Sequence, residues 1–343
     1  MKINEFDFEL PDALVAQEPL ASRASSRMLA VNRTSNSYAD EHFYNFPKFL
    51  KKGDVVVLNN TKVFPARLFG ASETGAKIEL FLVRETESQV WETLARPARR
   101  LKIGKKINFG EKLVAEVLEK TEEGRVFVKF EANGDFDEIL EEIGKTPLPP
   151  YIKRGDDDFD KDRERYQTVF ARERGAIAAP TAGLHFTPQI LEEIKNLGVN
   201  ISEITLHVGY GTFEAVRVDD LSEHKVLPEN YEISDETTET LNQAKKENRR
   251  IIAIGTTTTP TLESNFSKYG KCVAEKNLAD LTITPDYKFK AIDGLLTNFH
   301  LPQSSLLVLV STFGGYELIM KSYKHAVAEK YRFYSYGDCM LII

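Results

Sequence analysis

Three of the six histidines, His185, His207 and His300, stand inside short runs dense in Thr, Asn, Gly and Ser. An imidazole in such company can accept, donate or orient a proton near neutral pH. The runs are APTAGLHFT (Ala179 to Thr187), LHVGYGTF (Leu206 to Phe213) and GLLTNFHLPQSSLL (Gly294 to Leu307), joined by IGTTTTPTLES (Ile254 to Ser264) and YSYGDCMLI (Tyr334 to Ile342). Each falls where an apolar strand should end, and strand ends are where α/β folds assemble sites. Together they read as one composite pocket of an enzyme.

Singly, the runs say less. Gly183 permits a tight turn with Thr181 and His185 beside it, and a capping loop around a core histidine fits equally well. Gly209 and Gly211 bracket Tyr210, a spacing that suits close backbone approach to a ligand or a bulged strand. Thr256 and Thr257 lie in a turn before a Pro-started helix, whose first N–H groups can bind an anion or carboxylate. That turn has neither the Lys of a Walker loop nor GxGxxG, which argues against nucleoside-triphosphate and dinucleotide sites of those types. Asn298 and His300 precede a helix capped by Ser304 or Ser305. There is no GxSxG elbow and no HExxH, and the histidines lack metal-ligand spacing, so no metal site is expected.

The elements that must position these residues have two textures. Ala76 to Arg84, Val90 to Ala95, Lys112 to Lys120 and Arg125 to Phe130 alternate as strands, followed by a short helix over Asp135 to Gly144. From Tyr166 onward strands and helices alternate. GAIAAP, NISEITLHV, RRIIAIG and CMLII read as strands; Pro188 to Leu197, Asp235 to Glu247, Ser304 to Phe313 and Tyr316 to Lys330 read as helices. Val55 to Asn59 shares that second texture. The expected fold is therefore α/β: a catalytic domain over 1–66 and 151–343 with a β-rich domain, 67–150, inserted into it. The acidic run Gly155 to Asp162 reads as an exposed loop.

A chain of 343 residues with 42% hydrophobic and 28% charged residues can bury a core without metal or disulfides. Its two cysteines, Cys272 and Cys339, are far apart and form no CxxC. The opening MKINEFDFELP lacks the basic start and apolar run of a signal peptide, so the expectation is a soluble cytoplasmic protein. The net charge of −7 argues against general nucleic-acid affinity. RPARRLKIGKK (Arg96 to Lys106) runs against that balance; on charge alone it is a solvated hairpin face.

Several blocks, in order along the chain, resemble the S-adenosylmethionine:tRNA ribosyltransferase-isomerase family. They are FDFELPDALVAQEP (Phe6 to Pro19), VLNNTKVFPARLFG (Val57 to Gly70), LPPYIKR (Leu148 to Arg154), RYQTVFA (Arg165 to Ala171), APTAGLHFT, LHVGYGTF, TNFHLPQSSLL and KYRFYSYGDCMLI. The resemblance implies an α/β barrel-like domain with an inserted antiparallel β-barrel-like domain. It implies S-adenosylmethionine as a ribosyl donor, and therefore a substrate, with no cofactor. The acceptor would be 7-aminomethyl-7-deazaguanine at the wobble position of a tRNA anticodon loop, and the products epoxyqueuosine-tRNA, adenine and methionine. No membrane and no obligate protein partner are implied, and a monomer is the default.

Under that resemblance His185, His207, His300 and Thr181 become candidates for base, acid or substrate-orienting roles. Gly209, Tyr210, Gly211, Thr256, Thr257 and Asn298 become substrate contacts. A sulfonium favours an aromatic face or a carboxylate, for which Tyr210, Phe186, Tyr336 and Asp338 are candidates. Arg96, Arg99, Arg100 and Lys102, with Arg67, Lys153 and Arg154, become candidate tRNA phosphate contacts. The chain departs from the family's pattern at Glu214 and Pro260, where Arg is expected, and at Val226-Leu227, where Met-His is expected. Asp286 replaces Gly, and Asn60 and Lys62 replace Asp and Arg. These leave open a diverged paralogue acting on another S-adenosylmethionine-derived or nucleoside substrate, or a non-catalytic tRNA-binding relative.

Overall fold

The structure, a computed structural model, describes residues 1–155, 159–213, 216 and 218–343. The first strands are β1 (Arg27–Asn32), β2 (Ser37–His42), β3 (Val55–Asn59) and β4 (Thr61–Val63). Six further strands follow: β5 (Arg67–Ser72), β6 (Lys77–Glu87), β7 (Val90–Arg96), β8 (Lys106–Asn108), β9 (Leu113–Lys120) and β10 (Arg125–Ala132). These six close into an antiparallel barrel in the order β10-β7-β6-β5-β8-β9. Their inward residues alternate with outward ones, as in Trp91, Thr93 and Ala95 of β7, and the barrel fills with Leu80, Leu82, Val117, Val128 and Phe130. Closure at β5–β8 needs Gly70, where a Cβ would stand 2.6 Å from the Asn108 carbonyl oxygen and 2.7 Å from the Phe109 ring.

Beyond the barrel come α1 (Phe136–Ile143), α2 (Phe159–Arg165), β11 (Glu173–Ala176), α3 (Pro188–Asn196), β12 (Asn200–Leu206) and β13 (Glu229–Ile233). The chain continues through α4 (Asp235–Lys246), β14 (Ile251–Ile254), α5 (Thr258–Tyr269), β15 (Glu275–Ala279), β16 (Gly294–Asn298), α6 (Ser305–Gly314), α7 (Tyr316–Ala328) and β17 (Cys339–Ile342). Nine strands form one mixed sheet in the order β15-β13-β12-β3-β14-β16-β17-β1-β2, which keeps two ends where the smaller sheet is closed. Its strands β3, β14, β16 and β17 are buried along their whole length and apolar up to the polar residues that end β3 and β16, because both faces are covered. Along β3, Val55 and Val57 join a core built with α4 to α7, while Val56 and Leu58 join one built with α3 and the Phe43–Phe46 turn. The expected α/β class with a β-barrel insertion is what the chain adopts.

Strands β12, β3, β14 and β16 are mutually parallel neighbours, and β17 runs back beside β16. Their chain connections therefore bring Leu206–Val208, Asn59–Asn60, Gly255–Thr257, Asn298–His300 and Tyr334–Asp338 to one edge of the sheet.

Two local expectations are corrected. GAIAAP is strand only through Ala176, and the segment after it leaves the ladder. The acidic run is not simply an exposed loop. Asp162 lies in α2, is 2% exposed, and accepts a two-pronged bond from Arg154 (2.6 and 3.1 Å). Its neighbours 156–158 lie outside the described residues.

Glu263 on α5 is fully buried and accepts from the backbone N–H groups of Lys290, Ala291 and Ile292 (2.8, 2.9 and 3.1 Å) and from the Tyr287 hydroxyl (2.9 Å). This one carboxylate pins the approach to β16. Replacing Glu263 by Ala strands several donors, and chemical denaturation of the variant is expected to show a loss of about 3 kcal/mol or more. A loss under about 1 kcal/mol would mean that water takes over the acceptor role.

Candidate active site

The sheet edge carries a cavity of about 470 Å³ walled by Thr181, Thr256, Thr257, Thr297, Asn298, His300, Tyr151, Tyr166, Tyr334 and Ser335 among others. A second opening of about 790 Å³ lies between the barrel and the main sheet, lined by Trp91, Arg84, Arg125, Arg174, His207, Gly209, Tyr210 and Gly211 among others. The three histidines are thus not gathered in one place.

Strand β14 ends at Gly255, whose φ of +96° favours glycine, and the chain turns there into α5. Thr258 and Thr259 are buried and bond back to the carbonyls of Ile254 and Gly255 (2.8 and 3.2 Å). That leaves Thr256 and Thr257 at the cavity. Helix α5 starts without a side-chain cap, so its first backbone donors are not claimed in that way. Thr257 Oγ1 accepts a long bond from the Asn59 amide (3.4 Å), and Thr181 presents its side chain from the turn after Pro180.

Asn298, ending β16, donates its Nδ2 to the carbonyls of Tyr334 (2.9 Å) and Ser335 (3.3 Å). Those bonds fix the amide orientation, so Oδ1 faces His185 Nε2 at 3.2 Å and that nitrogen must carry the proton. His185 Nδ1 then accepts from the Ser26 hydroxyl at 3.0 Å. Burial drives His185 down to about 4, the Asn298 bond opposes this, and Arg23 and Arg332 add to it. His185 is a neutral brace: it holds Asn298, which holds the segment that places Tyr334 and Ser335 in the cavity wall. Of the base, acid and substrate-orienting roles expected for it, the geometry fits the orienting one, because both ring nitrogens are engaged behind that wall.

His300 differs. Its Nε2 lies 2.8 Å from Thr297 Oγ1, its backbone N–H donates to the Tyr323 hydroxyl (3.1 Å), and Nδ1 has no hydrogen-bond partner among the described residues. Burial pushes it down to about 3, so it meets a ligand as a neutral imidazole. His207 faces the second opening with Nδ1 2.8 Å from Thr61 Oγ1. Burial lowers its pKa, with Glu173 and Glu232 opposing. Tyr210 packs edge-on against Phe81 and lies under the Arg125 guanidinium at 4.9 Å.

Other expected contacts are engaged elsewhere. Tyr336 donates to Asp162 (2.6 Å), and Asp338 is buried, accepting from the backbone N–H groups of Arg27 (2.9 Å) and Arg332 (2.8 Å). Phe186 is wholly buried among Phe43, Phe46 and Phe170. None of the three lines the sheet-edge cavity or the opening beside the barrel. Arg154 is committed to Asp162 and Arg67 to Glu79 (2.8 Å), which removes both from simple phosphate binding. Arg96, Arg99, Arg100 and Lys102 are exposed and carry no ion pair among the described residues, and Lys153 is exposed as well. Reading the sequence missed Tyr151 and Tyr166; the LPPYIKR and RYQTVFA blocks held them, but aromatic residues alone do not announce a cavity wall. Of the departures, Pro260 and Leu227 line a small pocket next to the cavity, Asn60 bonds Glu203 (3.0 Å) and Thr205 (2.7 Å), and Glu214 lies outside the described residues. Among the described residues no His, Cys, Asp and Glu group could hold a metal ion, and no helix is long and apolar enough to cross a membrane.

A family model described as queuosine biosynthesis protein matches residues 3–342. A protein from Staphylococcus haemolyticus (strain JCSC1435) named S-adenosylmethionine:tRNA ribosyltransferase-isomerase is 49% identical over 345 residues, covering 100% of both chains. One of the same name from Thermoanaerobacter sp. (strain X514) is 50% identical, again over 100% of each. The crystal structure of S-adenosylmethionine tRNA ribosyltransferase from Thermotoga maritima superposes with a TM-score of 0.56 at 35% identity, covering 99% of this chain and 100% of that one. This chain belongs to the queuosine biosynthesis protein family.

The brace has a pH signature. With His185 held near 4 against an ordinary value of 6.5, the unfolded chain binds the proton more readily than the native one. Its contribution to stability is complete above about pH 6.5 and is lost as pH falls toward about 4. His185→Gln keeps an N–H donor for Asn298 but cannot titrate. Melting temperatures taken from pH 7 to 5 should fall less steeply for the variant; parallel slopes would remove His185 from the acid sensitivity.

Proposed function

We propose that this chain is an S-adenosylmethionine:tRNA ribosyltransferase-isomerase. It would transfer and isomerise the ribosyl group of S-adenosylmethionine onto 7-aminomethyl-7-deazaguanine at the tRNA wobble position, releasing adenine and methionine. The observation that carries this is the end-to-end match, at about half identity, to relatives bearing that name.

The cavity chemistry supports the reading. Transfer of a ribosyl group asks for hydroxyl and amide partners for the sugar, a hydrogen-bonding partner for the departing base, and exclusion of water. Thr181, Thr256, Thr257 and the neutral His300 offer the first two, and Tyr151, Tyr166 and Tyr334 supply the third. A neutral imidazole is suited to a cationic donor, because an imidazolium would repel the sulfonium. The opening beside the barrel has Trp91, Tyr210 and three arginines, a combination fit for an unstacked nucleotide and its phosphates. We place the protein in the cytoplasm as a monomer, with S-adenosylmethionine as substrate and no separate cofactor.

The test is one incubation with S-adenosylmethionine and wobble-modified tRNA, following adenine release and tRNA mass together. Adenine release with an epoxycyclopentanediol-type mass gain is expected. Binding of S-adenosylmethionine without either product would favour a diverged substrate.

The exposed cations around the barrel's Ala98–Arg100 turn make a separate prediction. Changing Arg99, Arg100 and Lys102 together to Gln should weaken tRNA binding and lower its log–log salt slope by roughly 2 to 3. An untouched slope would make the turn a solvated face only.

A further inference from the structure

Tyr334, with a φ of +73°, is the one aromatic among the described non-glycine residues that have left-handed backbone. That conformation favours glycine, because a Cβ crowds the following carbonyl. The fold imposes it through both backbone polar groups. The Tyr334 N–H donates to the Phe299 carbonyl (3.1 Å), and its own carbonyl accepts from the Gly337 N–H (2.9 Å) and from Asn298 Nδ2 (2.9 Å). A position held so firmly, and suited to glycine, carries a tyrosine instead, which points to a use for the ring. The ring stands half-buried in the wall of the sheet-edge cavity, its centroid 4.1 Å from that of Tyr151. Tyr151 spends its hydroxyl on Ser335 (2.6 Å), whereas the Tyr334 hydroxyl has no hydrogen-bond partner among the described residues.

His300 lines the same cavity and brings one specific polar atom to it. The Thr297 hydroxyl donates to the Asn298 carbonyl (3.3 Å), so its oxygen accepts from His300 Nε2, 2.8 Å away. This network assigns the imidazole proton to Nε2 and leaves Nδ1 a bare lone pair. No Asp, Glu, Lys or Arg is among the described residues that wall the cavity. Such walls suit a flat neutral ring better than an ion, since no side chain there balances a charge. The ring must also offer a donor at its edge to meet Nδ1. Adenine does so through its 6-amino group, whereas the 6-oxo group of hypoxanthine would set lone pair against lone pair. Given the proposed function, on which this inference rests, we propose that the sheet-edge cavity is the adenine subsite, with Tyr334 as its stacking face and His300 Nδ1 as the acceptor that reads the 6-amino group. His300 thereby selects the ribosyl donor by its base. Sequence reading set the aromatic contact two residues on, at Tyr336, which the structure turns to Asp162 (2.6 Å).

The test compares S-adenosylmethionine with S-inosylmethionine, which differ only at position 6 of the purine. Affinities of the full-length protein for both are measured by calorimetry. Wild type should bind the 6-amino ligand about tenfold more tightly. His300→Leu, which has no acceptor, should bring the two within about threefold of each other, chiefly by weakening S-adenosylmethionine. Tyr334→Leu should weaken both ligands by about tenfold and leave their ratio as it was, because stacking does not read the ring's edge. Tyr334→Phe should bind both as wild type does. Equal wild-type affinities for the two ligands would overturn the reading of His300 with no variant needed, and so would a preference that survives in His300→Leu. Full affinity in Tyr334→Leu, or lost affinity in Tyr334→Phe, would overturn the stacking role. A wild type that binds neither ligand would instead bring down the proposed function.

Discussion

Two asparagine side chains, at the ends of the buried strands β3 and β16 that flank β14, hold the site together. Parallel strands covered on both faces end abruptly, and the backbone groups of the connections leaving them need partners inside the protein. Asn59 answers this at the end of β3: its amide donates to the Leu206 carbonyl (3.0 Å), and its oxygen accepts from Thr61 (3.2 Å) and Leu206 (3.0 Å) N–H groups. Asn298 does the same at the end of β16 for Tyr334 and Ser335. Between them they fix both flanks of the Gly255–Thr257 turn. The threonines and His300 can face a ligand because the asparagines satisfy the backbone around them.

This division of labour explains why polar residues of one type do different things here. Four consecutive threonines split into two that face the cavity and two that bond back to the carbonyls at the end of β14. Three histidines split into a brace, a cavity wall and a neighbour of the barrel. The difference in each case is whether the polar atoms already have protein partners.

Much of the fold was legible in the sequence. The alternating strands of the barrel and the all-apolar runs of β3, β14 and β17 announce themselves by period and composition, and Thr187 and Ser304 sit as the caps of α3 and α6, as their sequence context suggested. Gly70 was not readable, because its reason is a contact with β8 and Phe109 far along the chain. The candidate site was legible as a set of motifs but not as an arrangement. His185 and Asn298 stand in motifs as rich as that of His300, and only their partners show that they face inward. Asp162 was hidden in a run of acids that looked uniformly solvated, while one of them is paired with Arg154 and Tyr336.

The order of strands in the main sheet bears on how the molecule is made. β17, at residues 339–342, lies between β16 and β1, so the β1–β2 hairpin has no link to the rest of the sheet until that segment exists. The barrel strands, spanning 67–132, can close long before then. During synthesis from the ribosome the barrel would therefore stand as an early folded unit, while the apolar edge of β1 waits for Cys339–Ile342. A chain ending before residue 339 would leave that edge open, and the cavity wall built by Tyr334 and Ser335 would lose the strand that ties it to the sheet.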